Sequence, residues 1–436
     1  MSIEWIPPIM LFFVVLTMLL GVHVAWAMGG VAVVSIILAW NFNSLFIVIS
    51  SVYGVMTSSF YVALPLFIAM GVILERSGIA DDLYQTFYVW AGRVKGGLAV
   101  ATVLICVIFA AMTGLTGAAC ITMGLIALPS MLKRGYNKDL AIGTVIAPAT
   151  LGILIPPSVV MIMLGTIARV SVGKLFFAGL VPGLCLAALF IIYILIRGFL
   201  KPELCPSIEV EVSLKDKLIA LKAVILPFLT IFGVLGAIFF GIATPTESAS
   251  IGVFTILLST VFNRTFNWKL VFESSLETFR LTVLNIWIIF GALVFASTFT
   301  ALGGIELMEK LIMAFHMTPW MVMFIILVIL FILGMFIDPF AIIFLVGPLT
   351  FPMMDKLGFD VIWYAIVFIM LICIGYITPP FGANLFYMKS VAPPDVSMGD
   401  IYHSSWPFVI VMLIGVVLVI IFPDIVLWLP NKMIVH

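Results

Sequence analysis

The sequence is short of charge. Only 9% of its 436 residues are Asp, Glu, Lys or Arg, against 64% that are hydrophobic, and the mean hydropathy is +1.34. Soluble domains carry about a quarter charged residues, so a soluble globular protein is excluded. Twenty Lys and Arg balance twenty Asp and Glu, which leaves no basic footprint for nucleic acid. Cysteine is sparse too. The five (Cys106, Cys120, Cys185, Cys205 and Cys373) show no C-x-x-C or metal-ligand spacing, and four sit in apolar runs, where a thiol acts as a small hydrophobe. His23, His316, His403 and His436 are too scattered for a metal site. No phosphate-binding loop, Ser/His/Asp triad or zinc motif occurs. The first apolar run lacks the basic leader of a cleavable signal peptide. These absences leave a multi-pass membrane protein that lives in the lipid bilayer and is not an enzyme.

Roughly 20 apolar residues cross a bilayer core of about 30 Å. On that rule the spans are 7–20 (short), 22–40, 59–76, 175–197, 222–240, 244–262, 281–302 and 400–422. Four further apolar stretches are interrupted. Residues 96–131 break at Thr113-Gly114-Leu115-Thr116-Gly117, and 318–354 at Asp338-Pro339. Residues 138–168 and 360–388 each carry a double proline, Pro156-Pro157 and Pro379-Pro380. Proline removes a helix donor and clashes with the preceding turn, so two in a row predict an unwound stretch.

Lys and Arg mark cytoplasmic span ends. Arg93 and Lys95 precede 96–131, and Lys133, Arg134 and Lys138 follow it, which predicts a re-entrant hairpin entered from the cytoplasm. The segment 318–354 fits the opposite face. Arg197, Lys201, Lys215, Lys217, Arg264, Lys269 and Lys389 then fall inside, with Arg169, Lys174 and Lys310 as exceptions. The first 75 residues contain no Lys or Arg, in keeping with an outward-facing stretch around 41–58. Residues 42–58 and 264–280 read as amphipathic arms on opposite membrane faces.

The chain repeats itself. A shift of 223 residues aligns 112–157 with 335–380 at eleven of 46 positions, against roughly three or four expected for so biased a composition. The matches include Gly124/Gly347, Pro129/Pro352, Gly135/Gly358, Gly152/Gly375 and both double prolines. Gly78-Ile79 also pairs with Gly304-Ile305, and Gly21 with Gly241. Each half contributes an odd number of crossings, so the second is expected upside down relative to the first. Inverted repeats with broken helices meeting near the midplane mark secondary transporters. The expected fold is an all-α polytopic membrane protein with an inverted repeat. It has about ten to eleven transmembrane helices, two re-entrant hairpins and two discontinuous helices. Residues 1–200 form the first repeat (scaffold 1–76, transport elements 96–168). Residues 201–221 form a cytoplasmic linker, and 222–436 the second repeat (scaffold 222–302, transport elements 318–388).

Unwound membrane backbone must find partners; carbonyls at half-helix C-termini suit a hard cation and N-termini suit an anion. Hydroxyls and carbonyls outnumber titratable groups in these breaks, so Na⁺ is the expected ion, at two or more sites. Its expected ligands are Thr113, Gly114, Thr116, Gly117, Gly152, Ile155 and Pro156, then Ile337, Asp338, Gly375, Thr378 and Pro379. Ala118, Pro157, Ser158, Pro380, Gly382 and Asn384 are expected beside the substrate, with Thr150 and Lys389 as further polar candidates. Asp338 is open to three roles: cation ligand, proton carrier, or cap of the half-helix that follows. Thr244-Pro245-Thr246-Glu247 reads as a capping box. Glu75-Arg76 and Glu273, Glu277 and Arg280 read as interfacial.

At the hairpin tips and breaks the sequence resembles a known family. GLTGAACITMGLIALPSMLKRGY (114–136), APATLGILIPPSVVMIMLG (147–165), GIATPTESASIGV (241–253) and GYITPPFGANLF (375–386) are similar to motifs of the large membrane subunit of tripartite ATP-independent periplasmic (TRAP) transporters. The resemblance covers essentially the whole chain. The first tip is Thr-Gly-Leu-Thr-Gly where the family often shows Ser-Gly-Ser. The resemblance implies an ion-transporter-superfamily-like, Na⁺-coupled elevator importer in a bacterial inner membrane. It also implies two partners, a small four-helix membrane subunit and a periplasmic binding protein that delivers an organic acid. A stand-alone Na⁺- or H⁺-coupled carboxylate carrier of the same architecture is the alternative.

Overall fold

The computed structural model describes residues 5–91, 94–206, 222–314 and 316–433. Arg93, Lys215, Lys217 and His436, and most of the expected linker, lie outside the described residues. Among the described residues every regular element is helical. Six helices are long and apolar enough to cross a membrane, and seven shorter apolar helices accompany them.

The first half runs α1 (Ile6–Leu19), α2 (Val24–Ala39), α3 (Phe46–Thr57), α4 (Ala63–Arg76), α5 (Ile79–Ala91), α6 (Gly97–Thr113), α7 (Thr116–Lys133), α8 (Lys138–Ala149), α9 (Val159–Ala168) and α10 (Val172–Leu200). The second half runs α11 (Lys222–Phe239), α12 (Pro245–Phe262), α13 (Trp268–Ala301), α14 (Gly304–Ala314), α15 (Pro319–Phe336), α16 (Pro339–Lys356), α17 (Val361–Gly375), α18 (Ala383–Val391) and α19 (Met398–Ile421), closed by a short α20 (Asp424–Leu427). The helices α6–α10 begin at 97, 116, 138, 159 and 172, and α15–α19 at 319, 339, 361, 383 and 398. The repeat therefore extends, element for element, well beyond the residues that are identical. Gly21 and Gly241, and Gly135 and Gly358, share a positive φ. Gly78 matches Gly303, which has the positive φ, one residue earlier than the sequence alignment placed it.

Packing between the halves is reciprocal. Helix α7 lies against α18 as α16 lies against α9, and α8 lies against α19 as α17 lies against α10. The two hairpins, α6–α7 and α15–α16, and the two broken helices, α8–α9 and α17–α18, thus interleave in one body. Its core is the α17 stretch Trp363–Gly375, in which every residue is buried. The expected capping box is present: Thr244 Oγ1 accepts from the Glu247 backbone at 3.3 Å, and the Glu247 carboxylate accepts from the Thr244 backbone at 2.7 Å.

One expectation needs correction. Residues 264–280 do not form a separate arm; they run without interruption into the following span as the 34-residue α13. In the first half the matching region is split, because Ser58 is extended and Pro65 follows in the first turn of α4. No proline interrupts 268–301.

Candidate functional site: a cavity between two hairpin tips

The first hairpin turns at Gly114, whose φ is +62°. A Cβ there would also lie 2.6 Å from the Pro157 carbonyl oxygen, so glycine is required both by conformation and by contact. A Cβ on Gly152 would come within 3.0 Å of the Leu115 carbonyl. Thr113 is 1% exposed; its hydroxyl donates to the Phe109 carbonyl at 2.9 Å and sits 3.4 Å from that of Leu115. Tip and double-proline break therefore meet, as the sequence suggests, in a buried cluster of hydroxyl and carbonyl oxygens with no titratable side chain. Ile155 turns its side chain toward Gly183 of α10. Ser158 caps α9: its hydroxyl donates to Ile153 O at 2.8 Å and accepts from Met161 N at 3.3 Å.

The second hairpin turns at Ile337, and Asp338 is the N-cap of α16, its carboxylate accepting from the Phe340 amide at 2.9 Å. The capping role expected as one of three is thus observed. In the facing break, a Cβ on Gly375 would lie 2.5 Å from the Gly334 backbone. The Thr378 hydroxyl donates to Ile374 O at 2.7 Å. Tyr402 donates to Pro380 O at 2.8 Å. Gly382 packs beneath the Tyr376 carbonyl. The Asn384 side-chain amide donates to Ile146 O of the first half at 3.0 Å, and its Oδ1 is buried with no partner among the described residues. The Pro156-Pro157 and Pro379-Pro380 peptides are both cis.

Both tips open into one cavity of about 1200 Å³. Gly114–Ala118 and Ile337–Ala341 line one side, and α1, α2, α4 and α13 the other. Of the residues singled out from the sequence, Gly114, Thr116, Gly117, Ala118, Ile337 and Asp338 reach the wall. Thr113, Gly152, Ile155, Pro156, Pro157, Ser158, Gly375, Thr378, Pro379, Pro380, Gly382 and Asn384 stand behind it. The double prolines and the glycines beside them support the tips, while Ile153, Tyr376 and Phe381 of the breaks face the space.

Several wall residues are not evident from the sequence. Glu75 and Glu277 line the cavity from α4 and α13, although their neighbours Arg76 and Glu273 form an ion pair with each other at 2.8 Å. Asn285, His23, Tyr376 and Tyr387 also line it. The hydroxyl of Tyr376, beside Gly375 in the break, was a signal available in the sequence. The acids were not, because their shared wall depends on α4 packing against α13. Among the described residues the charged lining is acidic, with Glu75, Glu277 and Asp338 and with no Lys or Arg.

The two tips differ in capping. The N-cap of α7 is Leu115, which provides no side-chain hydrogen bond, so first-turn N–H groups at Thr116–Ala118 end at the cavity without a side-chain acceptor. Such an end attracts an anion. At α16 the same place is filled by the Asp338 carboxylate.

A helical permease with two hairpins turned toward one central cavity belongs to the secondary transporters in class. The crystal structure of the Alcanivorax borkumensis YdaH transporter has the same fold, with a TM-score of 0.60 over 88% of this chain and 90% of that one, at 15% identity. More particularly, the chain belongs to a defined family, because the model of the "Tripartite ATP-independent periplasmic transporter, DctM component" matches residues 9–425. A C4-dicarboxylate TRAP transporter large permease protein DctM of Pseudomonas aeruginosa is 33% identical over 378 residues, covering 86% of this chain and 87% of the relative. The protein of that name from Vibrio cholerae is 31% identical over 446 residues, covering 97% of each. The chain is a transporter permease, not an enzyme.

Proposed function

We propose that this chain is the large permease of a Na⁺-coupled importer, in a bacterial inner membrane, that takes an organic acid from a periplasmic binding protein. The observation that carries the reading is the single cavity lined by both hairpin tips. The cargo carboxylate docks at the uncapped start of α7, at Thr116–Ala118. No lining Lys or Arg offsets its charge, so accompanying cations do. Na⁺ suits the oxygen-only cluster of Thr113, Gly114 and Gly152 with the Leu115 and Pro157 carbonyls. A second ion sits by Ile337, Asp338, Gly375 and Thr378, where the free Asn384 Oδ1 adds a neutral ligand. Hard cations favour such oxygens.

In this reading the interleaved hairpins and broken helices (96–168 and 318–388) move as an elevator against the scaffold (1–76 and 222–302), with the second repeat inverted in the membrane. A small four-helix subunit completes the scaffold. The relatives named for C4-dicarboxylates make that class the first cargo to try. Asp338 favours one second reading, H⁺ coupling by a stand-alone carrier.

Uptake into proteoliposomes holding this chain, the small subunit and a loaded binding protein tests the proposal. Accumulation is expected only with an inward Na⁺ gradient. Uptake that follows a pH gradient and ignores Na⁺ would establish the second reading, and uptake of free cargo without the binding protein would remove the tripartite one.

A further inference from the structure

The cavity has two chemically unlike sides. On the hairpin side the bare start of α7 presents first-turn N–H groups at Thr116–Ala118. Aromatic rings stand beside it. A Cβ on Gly117 would lie 3.1 Å from the Tyr387 ring. Phe381 is exposed and packs with Phe336 at a ring-centroid distance of 5.7 Å. All three rings line the cavity, so they border the place where a carboxylate docks.

The side formed by α4 and α13 is built of acceptors. Glu277, Leu281, Asn285 and Ile288 line the cavity at helical spacing along α13, and Ile68, Val72 and Glu75 do so along α4. The two helices pack together, and the Arg76–Glu273 pair at 2.8 Å joins them next to both wall acids. Arg280 lies 3.7 Å from Glu277 but is exposed and off the wall. His23 Nδ1 accepts from the Ala25 amide at 3.4 Å, so the imidazole is uncharged while that bond holds. Asn285 is 5% exposed. Its side-chain nitrogen donates to the Leu281 carbonyl at 2.7 Å, which leaves Oδ1 buried with no partner among the described residues. A buried acceptor without a donor is costly, and an N–H group on a ligand supplies one.

We propose that the cargo is a zwitterion, an organic acid that carries one carboxylate and one cationic nitrogen. The carboxylate takes the start of α7. The nitrogen lies against the rings of Phe381 and Tyr387 and is directed to the acceptors Asn285, Glu277 and Glu75. Aromatic faces and carboxylates both attract an organic cation. A dicarboxylate would set its second charge against this wall, where among the described residues no Lys or Arg meets it and like charges repel. The inference rests on the import function proposed above and specifies the cargo of that same cavity.

The test uses probes that share a four-carbon chain and differ at its ends: γ-aminobutyrate, butyrate, succinate and butylammonium. Each is titrated against the purified complex of this chain with its small subunit, and the half-saturating concentration is read from the rise in melting temperature. The zwitterion γ-aminobutyrate is expected to act at about tenfold lower concentration than butyrate or succinate, the factor for one charge-assisted contact. In the Glu75→Gln/Glu277→Gln protein, and in Phe381→Leu, that advantage should largely vanish. The melting temperature without ligand shows whether each variant is folded, and where the double variant is not, Phe381→Leu decides. Succinate or butyrate equal to γ-aminobutyrate, no response to any probe, butylammonium as effective as the zwitterion, or an advantage that survives in the folded variants would overturn the proposal. Uptake by the tripartite complex that ignores a Na⁺ gradient would sink the Na⁺ reading alone and leave the probe preference standing.

Discussion

The two halves of this molecule share a backbone plan and differ at three matched places around the cavity. Where the first half has Leu115 as N-cap of a hairpin arm, Ile153 in the break and Met163 on the short helix, the second has Asp338, Tyr376 and Tyr387. The first tip is the more buried: Thr113, Gly114 and residues 151–160 are buried. The second is open, with Asp338, Pro380 and Phe381 exposed. A fold that repeats need not repeat its chemistry. Leu115 leaves a helix end bare for a ligand, whereas Asp338 fills the matched position with the protein's own carboxylate.

The strongest test of that contrast is at Gly114. Gly114→Leu puts a side chain at positive φ and against the Pro157 carbonyl, and displacement of the tip by about 1 Å should cut uptake ~100-fold or more. Insertion and complex assembly should persist. The matched Ile337 has a negative φ of −123°, and Ile337→Leu should change uptake little. Proteoliposome transport assays on both variants check the pair.

Next comes an exchange of caps. Leu115→Asp gives α7 the cap that α16 already has, and should stabilise the protein by about 1 kcal/mol while carboxylate uptake falls at least tenfold, roughly the loss of one ligand hydrogen-bond set. Thermal unfolding in detergent and uptake must move in opposite directions. If uptake holds, the bare end of α7 is not the anion site.

Third, Gly375→Ala should harm more than Gly152→Ala, because its Cβ would meet backbone at 2.5 Å and not 3.0 Å. Overpacking of this kind costs ~1–3 kcal/mol, and the order of the two melting temperatures checks it. The smallest effect belongs to Thr244→Ala, far from the tips. Loss of that capping box should cost about 1 kcal/mol of stability, with uptake per folded complex unchanged.

Much of the helix plan was legible in the sequence, because breaks in long apolar runs are written in Gly and Pro. Helices α6–α9 and α15–α18 fall where the interruptions at 113–117, 156–157, 338–339 and 379–380 put them. The fusion of 264–280 into α13 was not legible, since amphipathic character alone does not say where a helix stops. Site residues were read well at the tips and poorly behind them. Gly, Pro and Thr in a break announce special backbone without saying whether it faces a cavity or supports one. The wall acids Glu75 and Glu277 share a surface only through packing across nearly half the chain.

The unbroken α13 has a mechanical consequence. At 34 residues it is ~51 Å long, a single strut that carries exposed Trp268 and Phe272 at one end and the cavity residues Glu277, Leu281 and Asn285 farther along. A load applied to its outer end is carried to the cavity wall along one continuous helix. At the matched place in the first half the chain is jointed at the extended Ser58, and α3 packs along α13, its Ser51 hydroxyl donating to that of Ser297 at 3.1 Å. The jointed arm of one half is thus braced on the unbroken helix of the other, and a load on either reaches the same strut.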